Sequence, residues 1–341
     1  MAGTSFFPPM LDDIGAATSS VHLNQFGFKP GIVGDAFAAA LLAKAAAGVR
    51  VRVLVDRQGS APEKGSRDLY RRLAAGGVEV LVNRSLAHLD HRKVLVVDGR
   101  VGWVGGAGIE DHFNDGRFHD LFARVTGPVV AQLQLVFVAS FHSLGGTVLP
   151  AELDPLFPAL DEGSDPVDAV VRHNAVGGYR PITSAIARLF DDAVETLDVV
   201  NPYIIDRGMI RRIEQAARRD VRVRIFSPAD GNNWACAAAQ RFHHKRLLDA
   251  GVRILDYPTM LHAKAFVRDG EELLLGTCNL DAWSLERSLE LDLQLWSEEL
   301  AAQVDERFSA PAEEISKPGR AVSGLKERVL STAFATISPL L

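Results

Sequence analysis

Apolar runs of four to seven residues, rich in Val, Ile and Leu, alternate along the chain with longer Ala-, Arg- and Leu-rich segments at helical spacing. This alternation predicts strands near 20–27, 50–55, 78–82, 92–97, 101–105 and 119–125, with helices near 35–48, 66–76 and 128–143. The second half repeats the order, with strands near 168–173, 197–203, 221–226, 252–256, 263–268, 272–276 and 289–296. Its helices fall near 181–195, 206–219, 234–250 and 299–308. Strands alternating with helices imply an α/β fold, a mixed sheet covered by helices on both faces. The segment from Gly145 to Pro166, with Gly-Gly, four prolines and several acids, reads as a linker. The expected division is therefore a first domain over 1–150, a linker over 151–166, a second domain over 167–308 and an appendage over 309–341. Within the appendage, the break at 309–320 precedes a short amphipathic helix near 321–335, read as a packing element, with a membrane-surface contact as the alternative.

The two halves resemble each other in residues as well as in order. G-V-R-V-R-V-L at 48–54 recurs as D-V-R-V-R-I-F at 220–226, and A-G-G-V-E-V-L at 75–81 recurs as D-A-G-V-R-I-L at 249–255. Each half also holds His-x-Lys-x-x-x-x-Asp: His91, Lys93 and Asp98 in the first, His262, Lys264 and Asp269 in the second. The two histidines lie 171 residues apart in a chain of 341, so each half is expected to supply half of one site. Residues i and i+2 of a strand share a face, which sets imidazole beside ammonium. That pairing, presented twice, suits a doubly charged phosphoryl centre. A glycine turn follows each motif, Gly105-Gly106-Ala107-Gly108 and Gly276-Thr277-Cys278-Asn279, and then an acid, Asp120 or Glu290.

Composition narrows the partners. With 47% apolar and 23% charged residues the chain is an ordinary globular one. Its net charge of −6 disfavours indiscriminate nucleic-acid binding, which leaves a basic footprint. Cys236 and Cys278 offer neither a disulfide framework nor zinc spacing and read as reduced, buried hydrophobes. No run reaches the ~18 apolar residues of a membrane span, and the start lacks the basic and apolar regions of a signal peptide. The expectation is a cytoplasmic protein, soluble or peripheral on a membrane.

The two H-x-K-x-x-x-x-D motifs, the G-G and G-T-C-N turns, N-P-Y-I-I-D at 201–206 and L-L-D-A-G-V-R-I-L-D-Y-P at 247–258 resemble the phospholipase D superfamily. With N-L-D-A-W-S-L-E-R-S-L-E-L at 279–291 and the terminal I-S-P-L-L, they are most similar to its bacterial cardiolipin-synthase-like branch. The resemblance implies two pseudo-two-fold-related α/β/α sandwich domains with mixed sheets. It also implies metal-independent catalysis without a cofactor and a covalent phosphohistidine intermediate. Members of the branch usually carry N-terminal membrane segments, which these residues do not include.

Splitting a phosphodiester needs a nucleophile, a proton for the departing alkoxide and positive charge near the non-bridging oxygens. Histidine suits the first two tasks. The family's order makes His91 the nucleophile and His262 the general acid; the symmetry of the sequence does not distinguish them. Lys93 and Lys264 are expected to hold the phosphate oxygens. Asp120 and Glu290 are expected to accept the other ring N–H of His91 and His262. Asp98 and Asp269 are expected to tie strand ends to neighbouring backbone. The family pattern makes Thr277 and Asn279 phosphate-facing donors, while Gly106 and Gly108 depart from its Ser and Asn.

Weaker signals are read plainly. His243 and His244 are expected at the surface, since adjacent helical residues diverge by about 100° and do not converge on one ion. Arg211/Arg218 and Arg212/Arg219 form a basic stripe, read as solvated. Trp283 is expected to pack in the core. The function expected is phosphatidyl transfer or hydrolysis on a phospholipid at a peripheral membrane surface. The alternatives are a nuclease or other non-lipid phosphodiesterase, and a non-catalytic lipid-binding module.

Overall fold

A computed structural model of the chain describes residues 1–60, 65–160, 167–175 and 177–340. The first half contributes strands β1 (Ser20–Gln25), β2 (Arg50–Asp56), β3 (Glu79–Asn83), β4 (Lys93–Val97), β5 (Val101–Gly105), β6 (Phe118–His119) and β7 (Phe122–Thr126). The second contributes β8 (Asp168–His173), β9 (Thr196–Val200), β10 (Arg222–Pro228), β11 (Arg253–Tyr257), β12 (Met260–Leu261), β13 (Ala265–Arg268), β14 (Glu272–Gly276), β15 (Leu291–Trp296) and β16 (Lys317–Pro318). Among the described residues one sheet runs β3-β2-β1-β4-β5-β7 and the other β16-β11-β10-β9-β13-β14-β15-β8. The first order recurs inside the second as β11-β10-β9-β13-β14-β15. In both, three parallel strands continue into antiparallel ones.

Period-2 alternation sorts each strand's side chains between two cores. In β4, Leu95 and Val97 enter a core with Phe7, Met10 and Phe37 from the helices Phe7–Ala16 and Ile32–Ala46. Val94 and Val96 of the same strand face the other way and pack with Val171, Leu291 and Leu293 of the second half. The second sheet repeats this: Phe266 and Leu274 join its own helices, while Val267 and Leu273 enter the shared core. The halves are thus welded by a common apolar layer. The site forms along that seam.

Local chemistry explains the hairpins carrying the motifs. Asp98 and Gly99 both have positive φ (52° and 61°), as do Asp269 and Gly270 (52° and 65°). Two such residues in sequence make the type I′ turn that matches strand twist, and Asp-Gly suits it. The Asp98 carboxylate accepts the backbone N–H groups of Thr18, Ser19 and Ser20, each at 2.8 Å. Asp269 does the same for Val194, Glu195 and Thr196 at 2.7–3.2 Å. Each motif Asp thereby fastens its hairpin to the start of the neighbouring parallel-sheet strand, β1 in the first half and β9 in the second.

Several elements differ from expectation. The strand near 119–125 is broken into β6 and β7, with Asp120 at the break. The helix Phe7–Ala16 is not among the expected helices; its Pro8 and Pro9 stand in the first turn, where proline forfeits no intrahelical bond. The expected linker holds the helix Pro150–Leu156, with Pro150 in its first turn and Pro155 inside it; residues 161–166 lie outside the described residues. The last predicted helix of the second domain ends early, at Val304, and passes through one π turn into Ala310–Ile315. In the appendage, β16 pairs with β11, and Leu325–Thr336 packs on Trp234–Asp249 through a Trp234–Phe334 edge contact at 4.7 Å.

The aspartate clasp is testable. Asp98→Ala is expected to lower the free energy of unfolding by about 2 kcal/mol, the scale of hydrogen bonds to a charged acceptor. Urea denaturation checks this. A midpoint indistinguishable from wild type would refute the clasp.

Candidate active site

The seam brings the two motifs together through two short parallel pairings. β12 pairs with β6, and the His262 N–H donates to the His119 carbonyl at 2.7 Å. Symmetrically, the His91 N–H donates to the Leu289 carbonyl at 2.9 Å, beside an Asp90–Leu289 bridge. Each histidine is therefore laid against the residue preceding the other half's acid. His91 Nδ1 donates to Glu290 at 3.0 and 3.1 Å, and His262 Nδ1 donates to Asp120 at 2.8 Å. The sequence order suggested pairing within each half; the structure crosses the pairs. Spacing along one half carries no information about which strand of the other half lies alongside.

With Nδ1 engaged by an acid, Nε2 is the remaining ring nitrogen of each imidazole, and that of His262 is met by Lys264 Nζ. Both histidines line one cavity of about 610 Å³, shared with Lys93, Asn279, Phe26, Phe113 and Trp283. Phe26 packs edge-on to His91 with ring centroids 4.8 Å apart, and Phe113 packs on His262 at 5.3 Å. These aromatic walls keep the imidazoles away from bulk water. Lys93 Nζ donates to the His91 carbonyl at 2.6 Å and lies 5.1 Å over Phe26. Lys264 Nζ donates to the His262 carbonyl at 2.5 Å and sits 3.0 Å from His262 Nε2. The motif strands begin at Lys93 and just after Lys264, so the histidines sit outside the ladder, at the sheet ends, rather than within it.

Burial dominates the electrostatics. It holds His91 well below the ordinary imidazole range and His262 down to about 3, with the neighbouring lysines pushing the same way. It also pushes Lys93 down to about 7 and Lys264 to about 8. The acids diverge. Burial would raise Asp120, but its hydrogen bond from His262 and the charge of Lys264 leave it below the usual carboxylate range. Burial pushes Glu290 up to about 7 against the opposing pull of Lys93 and Thr277, and Asp281 and Asp292 nearby rise to about 7 as well.

Of the expected phosphate donors, Asn279 lines the cavity, with Oδ1 unpartnered. Thr277 does not: it is fully buried, and its hydroxyl donates to Glu290 at 2.5 Å. Its first-half counterpart, Gly106, has no room for a side chain. A Cβ there would lie 2.6 Å from the Asp120 carboxylate, which accepts the Gly106 N–H at 3.2 Å. One acid is thus held by a hydroxyl and the other by bare backbone.

Other expectations resolve plainly. His243 and His244 are buried, not surface residues; the helix Trp234–Asp249 is covered on that side by the appendage, whose Arg320 carbonyl bonds His244. Trp283 lines the cavity instead of filling the core. Arg212 and Arg218 pair with Asp191 and Glu214, and Arg219 donates to backbone carbonyls. Cys236 and Cys278 are free and buried. The sequence reading missed Lys29, Glu110 and His112, which also line the cavity. Glu110 stands at the same 171-residue offset from Asp281 as His91 from His262, a signal the duplication carried.

Fold and site together define a protein of the phospholipase D type. The family described as cardiolipin synthase, PLD-like domain, matches residues 10–137 and 186–311, and the chain belongs to it. Among its relatives is a cardiolipin synthase of Geobacillus thermodenitrificans, 27% identical over 99% of this chain and 71% of that protein. Another, from Geobacillus kaustophilus, is 29% identical over 86% of this chain and 61% of that protein. A phosphatidylserine synthase of Haemophilus influenzae shares the fold over 100% of this chain and 94% of its own, with a TM-score of 0.80 at 14% identity. Among the described residues no helix is long and apolar enough to cross a membrane.

The lysines set a pH dependence. A lysine that has lost its proton no longer offsets phosphate charge, and kcat/KM reports the free enzyme. With Lys93 near 7 and Lys264 near 8, kcat/KM for an anionic phosphodiester is expected to fall as pH rises through that interval. A profile still level at the alkaline end would contradict this assignment.

Proposed function

We propose that the chain is a phosphatidyltransferase: a phospholipid donates its phosphatidyl group to a histidine, and an alcohol or water then takes it. The observation that carries this reading is the pair of imidazoles lining one cavity, each backed through Nδ1 by the other half's acid. His91 Nε2 attacks phosphorus, the bond to the departing alcohol oxygen breaks, and that oxygen takes a proton from His262 Nε2. The acceptor then gives its proton back to His262 as its oxygen attacks phosphorus and the P–N bond breaks. Protons and bonds balance over the cycle. Lys93 and Lys264 offset the charge on the non-bridging oxygens, and Asn279 offers a further polar contact.

The unequal acids support this division of roles. Asp120, held ionised, favours an imidazolium at His262, which the acid needs. Glu290, pushed up to about 7, favours protonation of His91 less, and a nucleophile must be neutral. The anionic diester itself offsets the two lysines, removing part of what keeps His262 unprotonated.

We also infer a membrane-surface contact. Ile32, Leu86 and Trp234 are 80%, 74% and 66% exposed, and each lies within three residues of a cavity-lining Lys29, Leu89 or Asn233. Three separate segments thus place largely exposed apolar side chains close in sequence to cavity-lining residues, which fits a lipid bilayer as the source of substrate. Buried free cysteines fit the reducing cytoplasmic side.

Phosphatidylglycerol vesicles and single-stranded DNA, each incubated with the protein in EDTA, separate the readings. The expected result is lipid consumption with phosphatidic acid or cardiolipin as product. Cleavage of DNA alone would overturn the lipid assignment, and binding without turnover would leave a lipid-binding module. His91→Ala and His262→Ala are each expected to lose roughly 10³-fold or more in turnover while unfolding normally; a fully active His262→Ala protein would refute its role. The double variant Leu86→Ser/Trp234→Ser is expected to partition roughly 10-fold more weakly onto vesicles in a sedimentation assay. Unchanged partitioning would remove the docking surface.

A further inference from the structure

The cavity wall breaks the internal symmetry at one place. In the second half Asn279 and Asp281 both line the cavity, and Asp281 also caps its own helix by accepting the Ser284 N–H at 2.8 Å. In the first half Gly108 stands where Asn279 stands, and Glu110 where Asp281 stands. A Cβ on Gly108 would lie 2.7 Å from Glu110 Oε1, and one on Gly27 would lie 2.1 Å from it. The carboxylate is therefore lodged in a notch between two glycines. Its other oxygen meets Lys29 Nζ at 2.8 Å and His112 Nδ1 at 3.6 Å. All three side chains line the cavity, and none has a role in the cycle above.

His112 carries this cluster to the His262 side. The His112 ring is 4.3 Å from Phe118, and Phe118 and Phe113 are 6.3 and 5.3 Å from His262. In an in-line displacement started by His91, the alcohol that exchanges its proton with His262 lies on that side. We propose that Lys29, Glu110 and His112 form the subsite that reads this alcohol, selecting alcohols that carry further hydroxyl groups; the inference rests on the transfer reading above. The Lys29–Glu110 pair is internally neutral, so a cationic amine meets the opposing charge of Lys29 and an anionic carboxylate that of Glu110. A neutral hydroxyl meets both a carboxylate acceptor and an ammonium donor. A site built to bond a hydroxyl discriminates against the analogue lacking it.

The test is an internal competition between glycerol and 1-propanol, which share three carbons and differ in hydroxyls. Vesicles containing phosphatidyl-p-nitrophenol serve as donor, and the two phosphatidyl alcohols are quantified. The product ratio does not depend on total turnover, so general damage to the fold leaves it unmoved. The wild type is expected to favour glycerol, and Glu110→Ala to lower the glycerol-to-propanol ratio by roughly 10-fold. Lys29→Met is expected to lower it in the same direction. A wild type without preference, or a ratio unchanged in both variants, overturns the inference. If the wild type makes neither product and releases no p-nitrophenol, the transfer reading fails first and this inference with it.

Discussion

The crossed imidazole–carboxylate pairs are the constraint on which the rest of this molecule depends. His91 takes its acid from the second half and His262 takes its acid from the first, so neither half holds a finished site. A catalytic-type pair exists only when the seam is closed. The seam that brings them together is a shared apolar core, with Val94 and Val96 of the first half packed with Leu291 and Leu293 of the second. The short pairings of β6 with β12 and of Asp90 with Leu289 then fix the register to the residue. An acid displaced by one position would point to the opposite face.

Much of this was legible in the sequence because it is local or periodic. The alternation of apolar runs located the strands of both sheets except β16, and Asp-Gly after each motif strand carried its own turn chemistry. The buried cysteines and the aspartate clasps also follow from residue type and spacing. Three things were not legible. The crossing of the acids is a relation between distant strands, invisible to spacing within one half. Thr277 matched a phosphate-facing pattern, yet the nearest acceptor in the folded chain is Glu290, and a buried hydroxyl bonds what lies beside it. His243 and His244 looked solvated because the element that covers them is the appendage, whose docking no local pattern announces.

The duplication supplies two copies of the same frame, and the chain spends its differences at few positions. Gly106 admits the Asp120 carboxylate against bare backbone, while Thr277 adds a hydroxyl to Glu290. Gly27 and Gly108 together open the notch that Glu110 fills. In each case the absence of a side chain is what positions a carboxylate. The glycines that depart from the superfamily's Ser and Asn therefore read as space made for acids, not as losses of function.

Symmetry breaking of this kind has a chemical use. Two identical imidazole–acid pairs would compete to attack, and a phosphoryl group between them would have no preferred direction of transfer. Making one acid readily ionised and holding the other near neutrality separates the proton affinities of the two histidines without moving either ring. Burial, with the lysines on both sides, lowers the proton affinity of the resting imidazoles, and in the proposed cycle an anion between them offsets the lysines' share when His262 must carry a proton. Substrate charge thus completes the electrostatics of the site. The aromatic walls of Phe26 and Phe113 keep water from doing so in its place.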